Sequence, residues 1–265
     1  MTLPLAGRVA LVTGVSRRRG IGFAIATRLA TMGASLFIQH WRPHDADQPW
    51  GPDEITDLVS ELGTKLVRGA RLEELSLDLG HAQAPDTLVD TAVTALEHLD
   101  ILVCNHAQSG FDGNLAEMTA EKLDRHWKVN TRSTVLATRA FAEQHDGRDG
   151  GRVVWLTSGQ AKGGMSDEIA YVASKAALAG LTASVADGLI ERRIVLNTVN
   201  PGPVNTGYLD ENMAPEDWQR VLQHFPSGRL GEPDDPARLI AWLVSDEGCW
   251  LVGQVLDSEG GFRRW

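Results

Sequence analysis

RVALVTGVSRRRGIGFAIATRLATMG, residues 8–33, carries the pattern that decides the fold. Residues 8–13 form an apolar run that reads as a buried strand. Residues 21–32 have helical periodicity and end at Gly33, a C′ glycine. The turn between them holds Gly14, Gly20 and Gly22. Such a turn lets the backbone approach a pyrophosphate, and the helix start offers free N–H groups and a positive dipole end. Gly22 would also let the helix pack close to the strand. A glycine-rich turn alone is a weak signal, because any tight strand-to-helix turn favours glycine. The strand–turn–helix context is what the motif requires. Candidate dinucleotide contacts are therefore Gly14, Ser16, Arg17, Arg18, Arg19, Gly20, Ile21 and Gly22. The three arginines cluster where a phosphate would lie; a solvated charge run is the other reading.

The same alternation continues along the chain. Strands are read at residues 35–39, 75–77, 101–104, 152–156, 194–199 and 254–256. Helices are read at residues 53–62, 85–97, from the N-cap Thr119 towards Gln144, and at 168–190, 216–223 and 236–244. Alternating strands and helices imply parallel strands with helices on both faces. The expectation is an α/β chain, 1–265, forming one doubly wound domain with a largely parallel seven-stranded sheet. Two segments look irregular: residues 41–52, polar and proline-rich, and residues 201–215, rich in Gly, Pro and Asn. Both follow strands, on the edge where such sheets bind ligands. Surface decoration is the preferred reading for the first, a functional loop for the second.

Composition narrows the classes. With 265 residues, 43% hydrophobic and 23% charged, the chain can bury a core without disulfides or metal. Two cysteines make no framework; Cys104 reads as a small buried hydrophobe, and a cytoplasmic, reducing setting is expected. A net charge of −10 argues against a nucleic-acid partner. No signal-like segment opens the chain, and no run reaches about 18 apolar residues, so no membrane span is expected.

Tyr171 and Lys175, four apart in DEIAYVASKAALAGL, share a helix face. A cation near a phenol favours phenolate and lowers the Tyr pKa, which would suit proton transfer. The pair alone is weak evidence, since such spacings arise by chance. The end of the second strand, Gln39-His40-Trp41-Arg42, lacks the acid that usually binds the ribose diol of NAD. His40, Trp41 and Arg42 are read as cofactor contacts. Missing acid and nearby guanidiniums favour a 2′-phosphate, so NADP(H) is expected in preference to NAD(H).

At this point the chain resembles the short-chain dehydrogenase/reductase family over essentially its whole length. Ser158, Tyr171 and Lys175 match the family's catalytic Ser, Tyr and Lys, and Asn130 in WKVN matches its helix Asn. Asp78, with Leu79 beside it, matches the acidic position after the third strand. Asn105, His106 and Ala107 fall in CNHA, where the family has NNAG. Pro201 and Gly202 match the step after the sixth strand, followed by Val204 and Thr206. The family's DGG step matches Asp257 through Gly261, loosened by two residues. The first glycine motif carries a two-residue insertion before Gly20. Longer loops there resemble enoyl-acyl-carrier reductases, which space Tyr and Lys more widely than this chain does. His106 is read as a local hydrogen-bonder rather than a catalyst.

The resemblance implies a Rossmann-fold, NAD(P)-dependent oxidoreductase of 3-oxoacyl-reductase type that needs no metal. Tyr171 would move the proton, Ser158 would bond the reacting oxygen, Lys175 would tune Tyr171 and bond the nicotinamide ribose, and Asn130 would hold a water. Substrate candidates are Ser158, Gln160, Met165, Tyr171, Tyr208, Met213 and Trp218, the last three in a loop at 203–230 that reads either as a lid or as simple packing. The substrate class is a small carbonyl compound, an alcohol or an acyl thioester. An acidic surface disfavours an acidic carrier protein unless a basic patch is local. The small-residue helix 168–190 suggests a homo-oligomer, in this family commonly a tetramer. Two rivals stay open: an NAD-dependent dehydrogenase of the same family, and a dinucleotide-binding sensor without chemistry.

Overall fold

The computed structural model describes residues 3–207 and 215–264. Seven parallel strands form one sheet in the order β3-β2-β1-β4-β5-β6-β7. They are β1 (Val9–Thr13), β2 (Ser35–His40), β3 (Leu72–Ser76), β4 (Ile101–Cys104), β5 (Gly151–Leu156), β6 (Ile194–Asn200) and β7 (Val255–Asp257). The order reverses between β1 and β4, and a crevice opens beyond the carboxyl ends of strands at such a reversal.

Period-two alternation sorts the strand residues between two cores. Ala10, Val12, Leu36 and Ile38 face α1 (Ile21–Thr31), α3 (Ile55–Gly63) and α9 (Asp234–Val244). Val9, Leu11 and Phe37 face α4 (Ala84–Leu96), α6 (Ser133–Gln144) and α7 (Ile169–Ile190). The five inner strands β2, β1, β4, β5 and β6 therefore bury both faces, which is why alternation is invisible in their sequences and those runs look nearly uniformly apolar.

Four details depart from the sequence reading. The third strand covers five residues rather than three; its exposed Glu73 and Glu74 hid a sheet-edge strand that pairs with β2 through the main chain. Residues 41–52 contain a short helix, α2 (Arg42–Ala46), started by Pro43 in its first turn. The long helix after Thr119 is not continuous. It runs as α5 (Ala120–His126), a π-helical turn over Trp127–Arg132, and then α6. Ser133 Oγ bonds the Val129 carbonyl and Thr134 Oγ1 the Asn130 carbonyl at 2.8 Å, local bonds of the kind that bend a helix. Finally, α7 is long and apolar enough, by length and composition, to cross a membrane. Its many Ala and Gly residues raise its apolar character without large side chains, and in the fold it packs along β6, α5 and the π-turn. α8 (Pro215–Gln223) precedes α9.

Phe141 is fully buried between α6 and the sheet. Phe141→Ala should destabilise the chain by about 3–5 kcal/mol, read as a lowered urea midpoint.

Candidate active site

The glycine turn is built by close contacts. Gly14 has φ of +71°, and a Cβ there would lie 2.8 Å from His106 Cα. The Asn105 amide, at the end of β4, donates to the carbonyls of Thr13 and Gly14, each at 3.0 Å. A Cβ on Gly22 would meet that same amide at 2.6 Å. Gln39, at the end of β2, accepts from Gly14 N at 3.0 Å and donates to Leu77 O at 2.7 Å. Gly20 caps α1 without a side-chain bond, and no acid occupies the first turn. The first-turn N–H groups thus remain available to an anion.

This turn borders a cavity of about 980 Å³. Gly14, Ser16, Arg17, Gly20 and Ile21 line it from the turn, Asp78 and Leu79 from beyond β3, and Asn105, His106 and Ala107 from beyond β4. Thr206 closes another side; Pro201, Gly202 and Val204 form the chain that leads to it from β6. Trp41 lines the cavity too, with Pro43, His44, Asp45 and Asp47. The segment read as decoration is therefore a cavity wall. Gln108, Arg125 and Val129 also line it and were missed; no local motif marks them.

The basic cluster divides. Arg17 stays on the cavity, donates to Thr206 O at 2.6 Å and stacks 5.0 Å from the Trp50 ring. Arg18 turns to α3, reaching Glu61 at 3.3 Å and Asp57 at 3.7 Å. Arg19 reaches Asn205 Oδ1 at 3.3 Å. Arg42 pairs with Glu54 at 2.8 Å, and His40 is buried with Nε2 2.6 Å from Glu74. Arg18, Arg42 and His40 do not line the cavity; carboxylates around α3 and on β3 hold them.

Ser158, Tyr171 and Lys175 converge at the carboxyl end of β5. Ser158 is half-buried in extended backbone (φ −144°) ahead of a 3-10 turn, Gly159–Ala161. Its hydroxyl faces the phenol of Tyr171, the third residue of α7. Lys175 is 2% exposed; Nζ donates to Leu156 O at 2.8 Å and lies 5.8 Å from the Tyr171 ring centre. Thr157 Oγ1 donates to Lys175 O at 2.8 Å, tying the helix to the strand.

Asn130, fully buried in the π-turn, accepts from Gln108 N at 2.6 Å and donates to Gln108 O at 3.2 Å and Ser174 Oγ at 2.9 Å. It joins the β4 loop to the helix that carries Tyr171 and Lys175. Gln160 sits with its amide 3.2 Å from Thr157 Oγ1. Met165 and Trp218 are half-buried, Met165 in the segment before α7 and Trp218 on α8. Tyr208 and Met213 lie outside the described residues.

The electrostatics differ from the expected tuning. Burial pushes the Tyr171 phenol up to about 12, against the pull of the Ser158 hydroxyl, and the charge of Glu168 adds to the rise. Burial draws the Lys175 ammonium down to about 8. The Lys charge sits by the ring, not on the phenol oxygen, so desolvation outweighs it. His106 is held neutral, its pKa pushed down to about 3 chiefly by burial and then by the Lys175 charge. Its ring lies 2.6 Å from Thr13 Oγ1 and 2.7 Å from Ser133 Oγ, a satisfied structural pair of contacts.

A family model described as enoyl-(acyl carrier protein) reductase covers residues 14–263. The uncharacterized oxidoreductase YjdA of Bacillus subtilis (strain 168) is 36% identical over 260 residues, spanning 97% of either chain. The chloroplastic NADPH-dependent aldehyde reductase-like protein of Arabidopsis thaliana is 34% identical over 263 residues, spanning 98% of this chain and 96% of its own. The solved structure of a short-chain dehydrogenase from Burkholderia cenocepacia J2315 in complex with NADP has a TM-score of 0.80 at 32% identity, spanning 97% of this chain and 98% of that one. The chain is a short-chain dehydrogenase/reductase.

The nicotinamide dinucleotide of short-chain dehydrogenases fits the cleft. The cradle at Gly14 leaves no room for a side chain, and the uncapped start of α1 opens on the same cavity. In this short-chain dehydrogenase/reductase no cluster of His, Cys, Asp or Glu among the described residues could hold a metal ion.

The lowered Lys175 pKa makes a stability prediction. Between about pH 8 and 10.5 the unfolded chain holds a proton on Lys175 that the folded chain has released. Stability from this group therefore rises with pH across that window. Above about pH 10 Tyr171, raised in the fold, works in the opposite sense. Urea midpoints at pH 8 and 10 should rise less in Lys175→Met than in the parent chain.

Proposed function

We propose that this enzyme is an NADP(H)-dependent oxidoreductase that acts on a carbonyl group or its secondary alcohol, with Tyr171 as general acid and base. The observation that carries this reading is the convergence of Ser158 and Tyr171 at the carboxyl end of β5, with Lys175 buried beside them and its Nζ 5.8 Å from the Tyr171 ring centre. When bound, the nicotinamide supplies or accepts the hydride. In the reducing direction Tyr171 delivers its proton to the carbonyl oxygen as negative charge grows there. Ser158 donates a hydrogen bond to the same oxygen. Lys175, still largely protonated at neutral pH, stabilises the phenolate that results. Asn130 keeps Gln108 and Ser174 in register around this group.

The dinucleotide phosphates would lie on the α1 start, with Arg17 the cation that lines the cavity there. NADP(H) is supported by the absence of a carboxylate from the end of β2, by Arg17, and by the named NADPH and NADP partners of two relatives. One observation favours NAD(H) as a second reading: Asp45, nearly buried, and Asp47 line the same cavity and would repel a 2′-phosphate.

The four-residue Tyr171–Lys175 spacing supports a 3-oxoacyl-reductase-like substrate range of ketones, aldehydes and acyl thioesters. Trp218 on α8 belongs to the segment proposed as a lid. Assembly as a cytoplasmic homotetramer is supported by the small, exposed Ala173, Ala176 and Gly180 of α7 beside the exposed Trp127, and by cysteines that are both free.

Tyr171→Phe should lower kcat by about 10²–10⁴-fold while leaving cofactor affinity nearly intact; a variant with full turnover removes the proton-donor role. Fluorescence titration with both reduced cofactors should give the tighter complex with NADPH, and Arg17→Ala should narrow the gap. Tighter NADH binding by the parent chain overturns the NADP(H) assignment.

A further inference from the structure

The start of α7 is held from outside the helix. The first amides of any helix lack an intrahelical partner. Here the preceding Glu168 makes no side-chain cap, and the first turn carries no acid. The partners come from the loop after β4. Asp112 Oδ1 accepts from Ala170 N at 2.9 Å, and its Oδ2 accepts from the N–H of Tyr171 itself at 2.7 Å. Gly113 O accepts from Ile169 N at 3.2 Å. Val172 is the first residue to bond back into the chain in helical fashion, to Glu168 O at 2.8 Å.

Asp112 is itself fixed. Its side chain is 6% exposed. Its Oδ1 also accepts from Gly113 N at 2.8 Å, and its backbone carbonyl accepts from Lys122 Nζ at 3.0 Å. His126, fully buried, stands behind, with Nε2 3.0 Å from Gly110 O and 3.7 Å from the carboxylate. Its ring meets the Tyr171 ring edge-on, with centres 6.2 Å apart. The carboxylate thus sits at the positive end of the helix and grips the residue that carries the phenol.

We propose that Asp112 is a positioning residue for Tyr171, holding the first turn of α7 so that the phenol meets Ser158 and the substrate oxygen. This rests on the reading of Tyr171 as proton donor. An ordinary helix cap would stabilise the chain without affecting turnover. A positioning cap must affect turnover, because Tyr171 lies within the capped turn, one helical turn ahead of Lys175, which other bonds secure to β5.

Asp112→Asn keeps size and one acceptor but presents an amide N–H to one of the two backbone donors. Asp112→Ser, a smaller neutral acceptor, serves if Asn does not fold. Steady-state kinetics, well below the melting point of each protein, should show kcat lower by about 10²-fold, the scale of a misplacement near 1 Å. KM and NADPH affinity should stay within about threefold. Hydrogen exchange at the Ala170 and Tyr171 amides should quicken by about tenfold or more while the middle of α7 keeps its protection. Unchanged kcat with only a lower Tm overturns the proposal, as does a parallel loss of kcat, cofactor affinity and protection along the whole helix. If the parent chain transfers hydride to no carbonyl compound, the proton-donor reading fails, and the exchange arm alone decides whether Asp112 holds that turn.

Discussion

The structure depends on the Asn105 amide. It donates to the carbonyls of Thr13 and Gly14 and so binds the end of β4 to the turn after β1. These are the two strands at which the sheet order reverses. The bond leaves no space for side chains at Gly14 or Gly22, which brings the α1 start down onto the sheet. The cavity, the uncapped helix start and the glycine requirement follow from this one close approach. A larger residue at either glycine would have to displace backbone or the clamp itself, which explains why both positions are glycine in this chain.

A second constraint comes from burial at the proton-transfer site. Tyr171 and Lys175 lie on one helix face, as their spacing requires, yet the phenol is pushed up rather than down. In a poorly solvated site each charge costs free energy, and a cation beside the ring at 5.8 Å does not repay the cost at the phenol oxygen. The consequence is a neutral phenol able to give a proton, beside an amine whose pKa has moved towards neutrality. The hydroxyl of Ser158 is what most favours the phenolate.

Charge around the cavity is decided by competition. The sequence places Arg17, Arg18 and Arg19 together, but α3 and its approach carry Asp53, Glu54, Asp57 and Glu61. These recover Arg18 and Arg42, leaving Arg17 on the cavity wall. The segment 41–52 then adds Asp45 and Asp47 to that wall. A net count of nearby guanidiniums overstates the positive field, because ion pairing within the fold removes most of it.

The alternation of strands and helices, the glycine turn and the Tyr171–Lys175 pair were legible from residue order, because parallel strands buried on both faces leave apolar runs and because the helical period binds Tyr171 and Lys175 to one helix face; Ser158 and Asn130 were marked by the family resemblance, and the order of strands across the sheet was not legible. Edge strand β3 was only half legible, since a strand exposed to solvent keeps its main-chain pairing without an apolar signature. The role of residues 41–52 as a wall, the division of the arginines and the Asp112 grip on α7 were set by tertiary contacts. Each depends on partners tens of residues away, and hydrogen bonds and ion pairs between distant segments leave no periodic trace in the local sequence. Local order therefore determined which elements form and which chemistry they carry, and three-dimensional packing decided which charges remain free and how the tyrosine is held.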